Sequence, residues 1–317
     1  MNIDLKNIFL KIKKKLKKVF FGINFKEGLL SKIIIYALLI IFGFIYLYPL
    51  IFMAITSLKS TEDLVDTTIK WIPSTLEFSN YKEAISVLNF WNALFKSFIV
   101  ALVPSFINTI VASLTAYGFS RFRFPGRKVL FGIMLVTFII PKQLIYIPQY
   151  TWFYRLDIIG SLFTYILPSS FGQGLYSSIY ILVLYSMFNL IPKQLEESAK
   201  IDGASNLIVF WKVALPLVIP GIITVFLFSF VWYWNDADTA SLYLAQPGKD
   251  YWATLPVMLA RYQNSIFSIT HGGIGAVLYQ GIKMAGTLLI IIPLLIIYFS
   301  LQQYFVESVE RTGIAGE

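Results

Sequence analysis

One histidine, no cysteine and no clustered catalytic set leave this sequence little from which to build a catalytic or metal-binding centre. A phosphate cradle would need a glycine-rich run closed by Gly-Lys-Ser/Thr, and the sequence holds none. Pro247-Gly248-Lys249-Asp250 is only superficially similar to one and falls in a predicted outer loop. His-Glu-x-x-His and Gly-x-Ser-x-Gly are also missing. His271, flanked by Gly272 and Gly273, reads as a solvated loop residue and not as a ligand or pH switch. Without cysteine there are no disulfides and no thiolate metal sites. We therefore expect no catalytic residue, no metal site and no cofactor bound by this chain.

Two sets of residues have types and spacing that suit binding or coupling. The first is the polar run from Ile191 to Pro216, which contains Glu197-Ser198-Ala199 and Asp202-Gly203-Ala204. Pro192 can open a helix, because its missing N–H is not needed in a first turn. Residues 195–201 can form two turns, and Gly203 can end them in a left-handed conformation. Residues 210–215 restart a helix. The product is a short helix–turn–helix suited to a groove on a cytoplasmic partner, or else a plain connector between two spans. The second set is neutral and aromatic: Trp232, Tyr233, Trp234 and Asn235 at one end of an apolar run, with Gln173, Tyr176 and Asn189 along another. Aromatic faces with neutral amides and hydroxyls suit a sugar, although Trp and Tyr also anchor helices at membrane boundaries. Lys96 and Lys283 fall inside apolar runs, and charges at that depth usually face a cavity or a partner. Lys283 is the pathway candidate of the two, with packing on a partner subunit or snorkelling to the interface as alternatives.

The elements that must position these residues are membrane spans. Hydrophobic residues make up 57% of the 317 and charged residues 14%, against about 25% charged in ordinary soluble domains. Mean hydropathy is +0.71. Crossing a hydrocarbon core takes about 20 apolar residues. Runs of that kind lie at residues 33–55, 91–119, 129–147, 161–190, 213–234 and 276–301. The fold class is thus an all-α integral membrane protein of about six transmembrane helices, with a short cytoplasmic helix between spans four and five. Pro141 and Pro148 should kink or end span three, and Pro168, Gly172 and Gly174 should interrupt span four. Residues 1–32 form a basic segment in which Phe9, Ile12, Leu16, Val19 and Phe20 recur at helical spacing, as in a helix lying on a membrane surface; a flexible tail is the alternative. Residues 33–301 form the transmembrane domain and residues 302–317 a cytoplasmic tail. Arg121, Arg123, Arg127 and Lys128 follow span two with no acid among them, which puts that loop inside. By parity both termini are cytoplasmic. The net charge of +9 sits beside apolar spans, so membrane lipid explains it better than nucleic acid.

With these residues on the page a resemblance is clear. Glu197-Ser198-Ala199, Asp202-Gly203-Ala204 and Val213-Ala214-Leu215-Pro216 resemble the cytoplasmic loop of permease subunits in binding-protein-dependent ABC importers. Ser198 departs from the usual Ala but is small enough for the same packing. Trp71-Ile72-Pro73 with Asn80-Tyr81 resembles the carbohydrate-uptake branch, in the subunit similar to the second maltose-type permease. So do Ala116-Tyr117-Gly118-Phe119-Ser120-Arg121, Phe124-Pro125-Gly126-Arg127, Ile140-Pro141 with Ile147-Pro148, and Trp234-Asn235. The end of the chain is similar too, with Gly316-Glu317 in place of the usual Lys-Gly. The resemblance covers roughly residues 56–316. It implies a bacterial cell-membrane subunit that pairs with a second homologous permease above two ATPase subunits, which use ATP and Mg. It also implies an extracellular solute-binding protein and a carbohydrate substrate, an oligosaccharide first, with another solute as the alternative. Glu197, Ser198, Ala199, Asp202, Gly203 and Ala204 would couple to the ATPase. A secondary transporter would show an inverted repeat and acids inside the spans, and neither is visible. A membrane enzyme would need a clustered catalytic set.

Overall fold

The computed structural model describes residues 28–66, 68, 71–245, 251–271 and 275–314, with side chains to residue 304. The basic amphipathic pattern of residues 1–27 and the Pro247–Asp250 run lie outside the described residues. Every element among the described residues is helical.

The first helix, α1 (Leu29–Ser57), is apolar between its first and last turns. Its side chains face outward, with Ile40 71% and Tyr46 79% exposed. A helix apolar on all faces and unburied by its own chain needs lipid or a partner around it. Two short helices follow, α2 (Thr61–Val65) and α3 (Ser79–Val87). They are stitched to the end of α1 by polar contacts. Asn80 Nδ2 donates to the carbonyls of Ser57 (3.0 Å) and Lys59 (2.9 Å), and Asp63 accepts from Ser74 Oγ (2.5 Å) and Ser74 N–H (2.9 Å).

At the centre stands α4 (Phe90–Arg121). Its buried face is made largely of small residues: Ala93, Ser97, Ala101, Ser105, Thr109, Ala112, Ser113, Ala116 and Ser120. Small side chains let helices approach closely where lipid gives no hydrophobic drive to associate. Thr109 and Ser113 return their hydroxyls to the carbonyls four residues earlier, so no donor is stranded.

Three of the predicted spans are broken. Span three is the pair α5 (Arg127–Ile139) and α6 (Gln143–Arg155), bent by 103°. Pro141 cannot donate an N–H, and the residue before it is driven into extended conformation; Ile140 has ψ 122. Pro148, by contrast, sits inside α6 without ending it. Span four is α7 (Phe163–Ser170) and α8 (Ser177–Leu190), separated by the expected break. Residues 193–201 form α9. Span five starts earlier than its apolar run: α10 (Asn206–Leu217) contains a π-turn at Phe210–Ala214 and meets α11 (Ile219–Asn235) at 80°. Pro216 and Pro220 supply no N–H to the turns before them.

The predicted outer loop after span five contains two helices, α12 (Asp238–Tyr243) and α13 (Leu255–Thr270). Ser97 Oγ accepts the N–H of Leu255 at 2.7 Å and ties α13 to the core. A short turn, α14 (Gly275–Leu278), leads into α15 (Gln280–Ile314). This last helix runs through residue 301, where the tail was expected to begin. Three helices are long and apolar enough to cross a membrane alone, α1, α4 and α15, and two more crossings follow if each bent pair is one span. At 14 residues, α8 spans only about 21 Å.

Candidate functional site

One end of the bundle carries the predicted coupling residues. Helix α9 ends in a Schellman motif: the Ala204 N–H reaches the Ala199 carbonyl and the Gly203 N–H the Lys200 carbonyl, both at 3.0 Å. Gly203 has φ +86, a conformation that a residue with Cβ adopts only at a cost. Ser205 then caps the next helix, its Oγ accepting from Ile208 N–H. Glu197, Ser198, Asp202 and Gly203 are exposed, and Ala199 and Ala204 are half-buried. Leu195 and Ile201 are exposed beside them, Ile201 at 85%.

What fixes α9 is the adjacent acid. Glu196 is buried, and its Oε1 pairs with Arg121 Nε at 2.6 Å. Tyr117 OH donates to its other oxygen at 3.3 Å, and Arg121 Nη2 donates to the Ile191 carbonyl at 3.0 Å. The last turn of α4 therefore grips both the start of α9 and the end of α8. Phe188 and Phe210 pack edge-on and tilted against the Tyr117 ring. Sequence reasoning named Glu197 and missed Glu196, because spacing alone does not say which of two neighbouring acids faces inward. Asn189, read as a pathway candidate, belongs to this end of the bundle: its Oδ1 accepts from Ser120 Oγ at 2.8 Å.

The other pathway candidates divide. Trp234 is a core residue, 1% exposed, with its Nε1 donating to the Ile290 carbonyl at 3.3 Å. Tyr233 is also buried and serves the break in span four. Its hydroxyl accepts the Leu175 N–H at 3.1 Å and shares a 2.7 Å hydrogen bond with Ser169. A Cβ on Gly174 would stand 2.7 Å from that hydroxyl, so the close approach requires glycine. Asn108 completes the same network: it donates to the Leu175 carbonyl and to Ser229, and accepts from Ser177 Oγ at 2.6 Å. Asn235 and Gln173 are exposed, and Asn235 returns its amide to the Val231 carbonyl. Lys283 lines a groove on α13 and α15 with Tyr262, Gln263, Asn264 and Tyr279. His271 ends α13 in left-handed conformation and is exposed.

Tyr176 and Trp232 come together, with ring centroids 4.1 Å apart. Tyr176 is itself left-handed, at φ 57, and starts α8 from the break. Lys142, at the bend between α5 and α6, places its Nζ 3.2 Å from the Tyr176 ring centroid. This cation inside predicted span three went unread beside Lys96 and Lys283, although its charge within an apolar run was the available signal. Among the described residues no group of His, Cys, Asp and Glu could hold a metal ion.

A family model described as "Binding-protein-dependent transport system inner membrane component" matches residues 108–311. The polygalacturonan/rhamnogalacturonan transport system permease protein YtcP of Bacillus subtilis (strain 168) is 30% identical over 294 residues, covering 90% of this chain and 99% of that protein. The osmoprotective compounds uptake permease protein GgtD of Synechocystis sp. is 29% identical over 292 residues, covering 90% of this chain and 93% of that protein. Among solved structures, a bacterial ABC transporter involved in the import of the acidic polysaccharide alginate has a similar fold. Its TM-score is 0.70 at 23% identity, with 87% of this chain and 96% of that chain covered.

Proposed function

Since the chain belongs to the family of binding-protein-dependent transport system inner membrane components, we propose that it is the permease subunit of an ATP-driven carbohydrate importer. It forms one half of the translocation pathway and pairs with a second homologous permease. Two cytoplasmic ATPase subunits, using ATP and Mg, dock beneath, and an extracellular solute-binding protein delivers the sugar from above. The chain crosses the bacterial inner membrane six times, through α1, α4, the α5–α6 pair, α8, the α10–α11 pair and α15, with both termini inside. Residues 33–301 are the transmembrane domain between a basic interfacial segment and a cytoplasmic tail.

The observation that carries this reading is the mounting of α9. Its outward side is free and partly apolar, as a docking helix requires. Its inward side is fixed to α4 by the buried Arg121–Glu196 pair. Movement of an ATPase against Glu197, Ser198, Ala199, Asp202, Gly203 and Ala204 is thereby passed to α4, the helix on which α8 and α11 pack. Tyr176 and Trp232, with Gln173, Asn235 and Lys283, supply the polar and aromatic wall, and the nearby breaks in the spans permit it to reshape. The match to YtcP, over 99% of that protein, supports a saccharide as cargo.

Reconstitution tests the coupling. In the complete complex in proteoliposomes, Glu197→Lys and Gly203→Pro should each lower binding-protein-stimulated ATP hydrolysis by about tenfold or more, the effect of about 1.4 kcal/mol in coupling. Unchanged hydrolysis in both variants would sink the assignment of α9. The similarity to GgtD favours a second reading with another solute class, and calorimetry on the cognate binding protein separates the two.

A further inference from the structure

Lys142 ends in a buried cation whose surroundings the coupling mechanism leaves unexplained. Its Nζ is shut off from solvent and meets no hydrogen-bond acceptor among the described residues. An ammonium offers three donors, and burying it without acceptors is costly. The Tyr176 face at 3.2 Å offsets part of that cost through the ring quadrupole but satisfies no N–H. Asp236 is close enough for its field to reach Lys142, yet the two form no ion pair. The Asp236 carboxylate is already held by the Tyr165 hydroxyl at 2.6 Å, the Thr239 N–H at 3.0 Å and the Thr239 hydroxyl. Among the described residues, Lys142 thus has the Tyr176 ring beside it but no hydrogen-bond acceptor.

The same ring that holds the ammonium packs on Trp232, which is 45% exposed. A half-exposed aromatic stack backed by a donor-rich cation matches a sugar ring that carries a carboxylate. The C–H face of the sugar would stack on Trp232, since the ammonium and Trp232 already lie against the Tyr176 ring, while the carboxylate would accept the N–H groups. We propose that Lys142 reads charge in the pathway, with the Tyr176–Trp232 pair as its platform, and that the cargo is an anionic, uronate-type saccharide. The ammonium rests on Tyr176 until the carboxylate draws it out on its flexible four-carbon stem. A neutral saccharide offers only hydroxyl acceptors, and charge-assisted bonds are roughly twice as strong. This assignment rests on the carbohydrate-importer reading above and adds the substrate's charge to it.

The test uses the complete complex in proteoliposomes, with ATP inside and saturating binding protein outside. Two labelled probes are compared: trigalacturonate and its fully methyl-esterified form, which differ only in charge. The intact complex should take up the acid in preference to the ester. Lys142→Met should cut uptake of the acid by about tenfold or more while changing uptake of the ester by less than about twofold. Lys142→Arg should retain the acid. Equal losses on both probes in Lys142→Met would make Lys142 a structural pin of the bend and overturn the proposal. So would undiminished uptake of the acid. Uptake of the ester alone by the intact complex would overturn the charge assignment and leave the importer reading standing. Absence of ATP-driven uptake of any saccharide would overturn the importer reading itself.

Discussion

At the scale of single residues, the Arg121–Glu196 pair should dominate the stability of the end of the bundle that carries α9. Both side chains are nearly fully buried, so removing one partner strands the other's charge at a cost of about 3–5 kcal/mol. Glu196→Ala should therefore lower the thermal midpoint in detergent clearly, and Glu197→Ala, on the exposed side, hardly at all. Replacing both partners, as in Arg121→Met with Glu196→Leu, removes the stranded charge and should recover most of the loss. A double-mutant cycle that gives no coupling between the two positions would contradict the strut. The motif ending in Arg121 and the acids at 196 and 197 were visible in the sequence. Which acid turns inward was not, since that depends on the rotation of α9 as it docks against α4.

At the scale of elements, breaks and stitched loops matter more than helix lengths. The α2 segment is held shut through Asp63. Hydrogen bonding from the Ser74 side chain, helped by its N–H and by Lys59, keeps the Asp63 carboxyl below its ordinary value, against the opposing effect of burial. A carboxyl lowered in the folded state stabilises above its unfolded pKa of about 3.9. That contribution is lost as pH falls through the lower folded value. Amide exchange across residues 58–78, corrected for its intrinsic pH dependence, should show protection at pH ~6 that fades below about pH 4. Ser74→Ala should imitate the loss at neutral pH, and equal protection in the variant would argue against this closure. The prolines and glycines at 141, 168, 172 and 174 showed where spans would break. They did not show how the freed backbone groups are satisfied, because Asn108 and Tyr233 come from helices remote in sequence.

At the scale of the molecule, the exposed apolar face of α1 and the free outer side of α9 define a subunit built to be surrounded. The chain alone, reconstituted in vesicles, should move no solute, and uptake should require the second permease, the ATPases and ATP together. Uptake driven by an ion gradient through this chain alone would replace the importer by a secondary transporter. The groove beside Lys283 and the Tyr176–Trp232 platform are both open in the single chain. Crosslinking from each in the assembled complex would report which one the partner covers.

Composition and local order settled a good deal without coordinates. Twenty-residue apolar runs call for lipid, proline and glycine mark where helices can break, and a Glu-Ser-Ala/Asp-Gly-Ala run can turn at Gly203. These are consequences of solvation and backbone sterics, which act over a few residues. Tertiary structure decided the rest: that Glu196 and not Glu197 is buried, that Trp234 belongs to the core, and that Lys142 lies over Tyr176. Each is a contact between segments distant in the chain. Its geometry follows from how close α4 lets its neighbours approach, and periodicity in one segment cannot encode that distance.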